Sequence, residues 1–101
     1  MFALARFRID DRSMEPALHA GDYVFVNRWA YRRKAPVAGD LVVLRNPEAM
    51  GQFLVKRIMS GDVTTGFFVL GDNTAHSRDS RHFGVVPVHL LVGKVRYHAK
   101  A

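Results

Sequence analysis

Short apolar runs separated by polar punctuation make up this chain, and no stretch sustains a 3.6-residue apolar period. Tyr23-Val24-Phe25-Val26 follows Gly21-Asp22, and Leu41-Val42-Val43-Leu44 follows Gly39-Asp40 and stops before Pro47. Phe53 to Met59 is a third run, turned by Gly61-Asp62. Phe67-Phe68-Val69-Leu70 is a fourth and enters Gly71-Asp72-Asn73 directly. Leu90 to Tyr97 is the last, with Gly93 as a bulge or bend. Five or six short strands with such turn signals predict an all-β, mainly antiparallel domain, a small barrel or sandwich. Glu15 to His19 is predicted to form one helical turn after Ser13, because Pro16 suits the first turn of a helix. With no repeat, low-complexity tract or linker, residues 1–101 read as a single domain.

Composition narrows the picture. At 101 residues and 49% hydrophobic, the chain can fill one compact core but not two. No run reaches the ~20 apolar residues of a membrane helix. The opening Met1-Phe2-Ala3-Leu4-Ala5 meets Arg6, Arg8 and Asp10 too soon to be a signal-peptide core. The expectation is a soluble chain, cytoplasmic by preference, with the soluble part of a membrane-associated enzyme as the alternative. The absence of cysteine excludes disulfides, thiolate metal sites and a cysteine nucleophile. Histidines 19, 76, 82, 89 and 98 fit no common ligand spacing, so neither metal nor cofactor is expected. Much of the +6 charge gathers in Arg28-Trp29-Ala30-Tyr31-Arg32-Arg33-Lys34. A solvated basic loop is the commoner reading of such a stretch; contact with nucleic acid or an anionic membrane is the sharper one.

Three segments carry candidate chemistry. Ser13 stands in a polar stretch before Pro16, where a serine is usually a cap or turn residue. Lys56 lies in the apolar run Phe53–Met59, where a period of two puts Leu54, Lys56 and Ile58 on one face and Phe53, Val55, Arg57 and Met59 on the other. Periodicity alone does not say which face is buried. An unperturbed lysine is neutral in only roughly one molecule in 2,500 at pH 7, but desolvation on an apolar face lowers its pKa and frees the amine to act as a base. Arg57 cannot serve in that way, because guanidinium keeps its proton. In the third segment Ser77, Asp79 and Arg81 alternate after the Gly71-Asp72-Asn73 turn. If extended, they point the same way, so that Asp79 and Arg81 pair while Ser77 faces the site.

Together these residues resemble the type I signal peptidases, which use a Ser/Lys dyad. The matching boxes are Ser13-Met14-Glu15-Pro16 with Gly21-Asp22, then Gly39-Asp40-Leu41-Val42-Val43, then Val55-Lys56-Arg57-Ile58, and finally Gly71 to Arg81. The resemblance covers residues 8 to 97, with all four boxes in the family's order. It implies that Ser13 is the nucleophile and Lys56 the general base, that Ser77 orients the amine, and that Asp79 and Arg81 brace the site. It also implies that the Ser13 backbone N–H binds the oxyanion, on a barrel-like β domain that cuts a protein or peptide substrate with an N-terminal leader. Three features depart from the pattern. No anchor precedes the serine box, only fourteen residues separate Lys56 from Gly71, and Asp11 stands where the family often has Ser or Gly near the oxyanion. Either Asp11 turns away or the oxyanion site is built differently. In size the chain is similar to compact soluble relatives that mature nickel-type superoxide dismutase. The rivals are a non-catalytic basic β-barrel that binds nucleic acid and a self-cleaving repressor-type domain; the Gly71–Arg81 box favours the peptidase, with no nucleic acid expected.

Overall fold

The structure, a computed structural model, describes residues 4–100; Met1, Phe2 and Ala3, which begin the short apolar opening, lie outside the described residues, as does Ala101. Strands β1 (Leu4–Arg8), β2 (Tyr23–Asn27), β3 (Leu41–Asn46), β4 (Ala49–Asp62), β5 (Gly66–Leu70) and β6 (Leu91–Ala99) form one antiparallel sheet in the order β1-β2-β6-β3-β4-β5. Among the described residues one short α-helix, α1 (Ser80–Phe83), follows β5, with 3-10 turns at Thr74–His76 and Val88–Leu90 on either side of it. The five expected runs are β2 to β6. The strand that went unforeseen is β1, whose Leu4-Ala5-Arg6-Phe7-Arg8 has no β-branched residue; Ala5 and Phe7 face inward while its other side chains are exposed. β4 continues through Gly61-Asp62, so the turn expected there falls at residues 63–65. The Asp62 carboxylate closes it by accepting the N–H groups of Thr64 (2.9 Å) and Thr65 (2.7 Å).

Central β3 is covered on both faces, which is why Val42, Val43 and Leu44 are buried in succession. Val42 and Leu44 pack with Ile58, Phe67, Val69, Val86 and Leu90, while Val43 joins Ile9, Met14, Leu18, Val24 and Val26. The sheet curls on itself: the Phe7 ring of β1 meets the Phe53 ring of β4 at 5.1 Å, although β2, β6 and β3 stand between those strands in the sheet order. Gly93 is the expected irregularity. Val43 pairs with Gly93 but Leu44 with Leu91, leaving Val92 as the extra residue. A Cβ on Gly93 would stand 2.8 Å from Val26 Cγ1 and 2.9 Å from Arg28 Cα, so the residue also lets the end of β2 approach closely.

Two local expectations change. Residues 13–17 are turns, with one helix-like bond from the Leu18 N–H to the Met14 carbonyl (2.9 Å). The segment must reverse at once, because Ile9 exchanges bonds with Gly21 and Asp22 (2.8 Å each) to lay β1 beside β2. In the basic loop the aromatics are already engaged. Tyr31 packs against the core and its hydroxyl donates to Asp40 (2.7 Å), while the Arg32 guanidinium covers the Trp29 ring at 4.3 Å. Among the described residues, no helix is long and apolar enough to cross a membrane.

Candidate active site

Segments remote in sequence converge at Gly71, just after β5. A Cβ on Gly71 would stand 2.7 Å from the Ser13 carbonyl oxygen and 2.6 Å from Ser77 Cβ, so this position has room only for hydrogen. The Ser13 turn is fastened to the same place. Asn73 donates its backbone N–H to the Ser13 carbonyl (2.8 Å) and its side-chain amide to the Arg12 carbonyl (3.0 Å). Met14 is buried in the core and its sulfur accepts the Asp72 N–H at 3.4 Å. Ser13 itself is 4% exposed.

Lys56 arrives from the middle of β4, paired across the sheet with Val42 and 1% exposed. The period of two is thereby resolved. Lys56 and Ile58 face inward, whereas Arg57 turns to the other face, where its guanidinium grips Asp72 with two bonds of 2.9 Å. The Lys56 amine donates to Ser77 Oγ at 3.1 Å. Burial pushes the lysine pKa down, the charges of Asp11 and Asp79 oppose that fall, and Arg81 adds to it; the net direction is downward.

Asp79 anchors the opposite wall. Fully buried, it accepts from Ser77 Oγ (2.7 Å), the Gly71 N–H (3.0 Å), the Arg81 N–H (3.1 Å) and the Arg81 guanidinium (2.9 and 3.1 Å). Burial alone would raise its pKa, but these donors outweigh it and hold the carboxyl well below the usual carboxylate range. The route to the Asp79–Arg81 pair differs from the expected one. Arg81 already belongs to α1 rather than to an extended segment, and Asp79 is the N-cap, so the helix start folds Arg81 back onto its own cap. The buried member of the pair is Asp79; the Arg81 side chain is 38% exposed.

The result is a continuous chain of contacts, Lys56 to Ser77 to Asp79 to Arg81, beside the Ser13 turn. A pocket of about 40 Å³ opens next to it, lined by Ile9, Asp11, Ser13, Met14, Leu54 and Val55. Asp11 does not turn away: its Oδ1 accepts the Ser13 N–H at 3.0 Å. Among the described residues, no three His, Asp or Glu side chains come together as a metal would need. Sequence reasoning gave no role to Asn73 or to Ser80, whose hydroxyl accepts the Val69 N–H at 2.8 Å and ties β5 to α1. Both lay within the Gly71–Arg81 box, but polar turn residues look alike until their partners are known.

Fold and site thus define an all-β domain built around a buried serine–lysine cluster. A family model described as "Signal peptidase, peptidase S26" matches residues 1–65 and 59–99. The chain belongs to that family. It is 37% identical over 105 residues to mitochondrial ATP-independent inner membrane protease subunit 1b of Arabidopsis thaliana, covering 82% of this chain and 62% of that protein. It is 33% identical over 105 residues to mitochondrial inner membrane protease subunit 2 of Mus musculus, covering 83% and 60%. Against signal peptidase I of Bacillus caldolyticus it is 26% identical over 145 residues, covering 96% and 80%. The chain thus spans about three-fifths of the length of the two mitochondrial relatives.

Proposed function

We propose that this chain is a serine endopeptidase domain that removes an N-terminal leader or signal segment from a partner protein, with Ser13 as nucleophile and Lys56 as general base. One observation carries the reading: Lys56 is 1% exposed and its amine is bonded to a serine hydroxyl rather than to a carboxylate. A lysine so placed can be neutral at working pH. It spends one N–H on Ser77; in this reading its lone pair takes the proton of the Ser13 hydroxyl, with which it makes no hydrogen bond among the described residues. Attack forms the bond from Ser13 Oγ to the scissile carbonyl carbon, passes the hydroxyl proton to Lys56, and moves the carbonyl π pair onto oxygen at the Ser13 N–H. Collapse breaks the C–N bond, with the proton on Lys56 going to the leaving amine, and water then releases the acyl group by the same steps. Asp79, held by Arg81, fixes Ser77 and through it the amine.

The groove beside the site suits an extended peptide. About 520 Å³ in volume, it is lined by residues 6–8 of β1 with Asp10 and Asp11, by residues 51–55 of β4, and by Val43. The outer edge of β1, and that of β4 before Arg57, pair with no strand among the described residues. A peptide can therefore add its backbone bonds there, with a small side chain in the pocket next to Ser13. A precursor such as that of nickel superoxide dismutase is one candidate substrate, which incubation of candidate precursors and mass spectrometry of the products would decide. In the same assay Ser13→Ala and Lys56→Arg should each lower cleavage by about 10⁴-fold or more, because neither leaves an activated hydroxyl. Arg57→Lys, on the other strand face, should keep most of the activity. Cleavage by the Ser13→Ala protein at the wild-type rate would exclude the assignment.

A further inference from the structure

The Asp11 contact bears directly on how such an enzyme turns over. A scissile carbonyl poised for attack needs a donor 2.7–3.1 Å from the position its oxygen will take. The Ser13 N–H is already in use, at 3.0 Å from Asp11 Oδ1, and one N–H cannot serve two negatively charged oxygens at full strength. Beyond this bond the Asp11 carboxylate makes no other hydrogen bond among the described residues, and it acts on Lys56 through its charge. Its side chain is exposed and lines both the groove and the small pocket, so rotation into solvent is open to it. Its neighbour Arg12, which could have drawn it off, faces Glu15 instead, at 3.4 Å.

We propose that Asp11 blocks its own oxyanion site: in the unliganded enzyme the carboxylate holds the Ser13 N–H, and acyl transfer begins only after the bound substrate backbone has displaced it. The inference rests on Ser13 being the nucleophile. Asp11 is a gating residue that acts through the Ser13 N–H and takes no proton in the reaction. An unfilled groove leaves the site closed, which restrains stray hydrolysis until a peptide with enough backbone contact arrives. The charge has a second effect, since Asp11 also favours the protonated form of Lys56, the form that cannot act as a base. The other charges that act on that amine are Asp79 and Arg81.

Asp11→Ser and Asp11→Asn test this on a leader peptide that the wild type cleaves. Both residues can still cap the turn, so melting temperatures should stay near wild type. Asp11→Ser should raise kcat about tenfold, a part of the roughly 10²- to 10³-fold that one oxyanion donor is worth, with KM nearly unchanged. Asp11→Asn keeps the shape and loses the charge; it should give a smaller gain and move the acid limb of the kcat/KM profile to lower pH. An unchanged or lower kcat in both folded variants would make Asp11 a turn cap and overturn the proposal. Loss of the rate gain when Ser13→Ala is added keeps the two ideas separable. A gain that survives Ser13→Ala sinks the nucleophile assignment, whereas unchanged Ser13-dependent cleavage sinks only the gate. A folded protein in which neither the wild type nor Asp11→Ser cleaves any leader peptide overturns both.

Discussion

Lys56 is the residue whose energetics and proposed role pull in opposite directions. Its pKa is lowered by folding, while the unfolded chain titrates near the ordinary value of about 10.4. Stability from this group is therefore fully present above about pH 10.4, falls as pH drops through the window down to the folded pKa, and stays reduced below it. Lys56→Met, of similar length and apolar, should raise stability at neutral pH by about 1–4 kcal/mol, the range for replacing buried ionic groups by packed apolar ones. The gain should shrink as pH approaches 10 to 11. Thermal melts of both proteins across pH 6–11 measure it, and a pH-independent difference would mean that the amine titrates alike in the folded and unfolded chain. Such a variant, more stable and inactive, is the expected trade at a site kept for chemistry.

Among the elements, the junction from β5 into the Gly71–Asp79 turn matters most, because it holds the Ser13 turn, Ser77 and Asp79 together. Gly71→Ala puts a methyl against the Ser13 carbonyl and Ser77 at once. The site must spread by several tenths of an ångström, costing about 1–3 kcal/mol in stability. Misplacement on that scale, short of the ~1 Å that costs about 10²-fold, should lower kcat/KM by about tenfold. A melt paired with leader cleavage reads both; near-wild-type values for each would show that the junction yields freely. How far such elements were legible in sequence follows from what defines them. Strands β2 to β6 announce themselves as apolar runs between Gly-Asp and Pro punctuation, and the four boxes marked the Ser13 turn, Lys56, Ser77 and Asp79 as candidates. β1 stayed hidden because an edge strand of arginines and one phenylalanine owes its form to pairing with β2. The arrest of Arg81 in α1, and the turning of Asp11 toward the Ser13 N–H, depend on cap and turn geometry that a pattern of polar residues does not encode.

At the scale of the whole molecule, the curled sheet is left open between β1 and the first half of β4. Which strand neighbours which could not be read from periodicity: the pairing of β2 with β6 joins distant parts of the chain and is settled only by how the two cores close. An extended peptide that fills the gap adds backbone bonds on both sides and should stabilise the fold by mass action. At about 100 times its dissociation constant the gain is roughly 2.7 kcal/mol. Titrating an uncleavable leader peptide into the Ser13→Ala protein during thermal melts tests this, with slowed amide exchange expected at Arg6, Arg8, Phe53 and Val55, whose N–H groups face the gap. A rise in melting temperature without protection at those amides would place the peptide elsewhere.

An unpaired edge is also a risk, since any second copy of the chain could add to it in the same way. Here the edge guards itself by charge. Arg6, over the Tyr23 ring at 4.8 Å, and Arg8 are exposed on β1 in a protein of net charge +6, so two copies brought edge to edge would bring these cations close to one another. A leader peptide without such cations meets no comparable repulsion. Edge-to-edge pairing of two copies is thereby disfavoured, while the extended peptide proposed to bind there meets no such barrier.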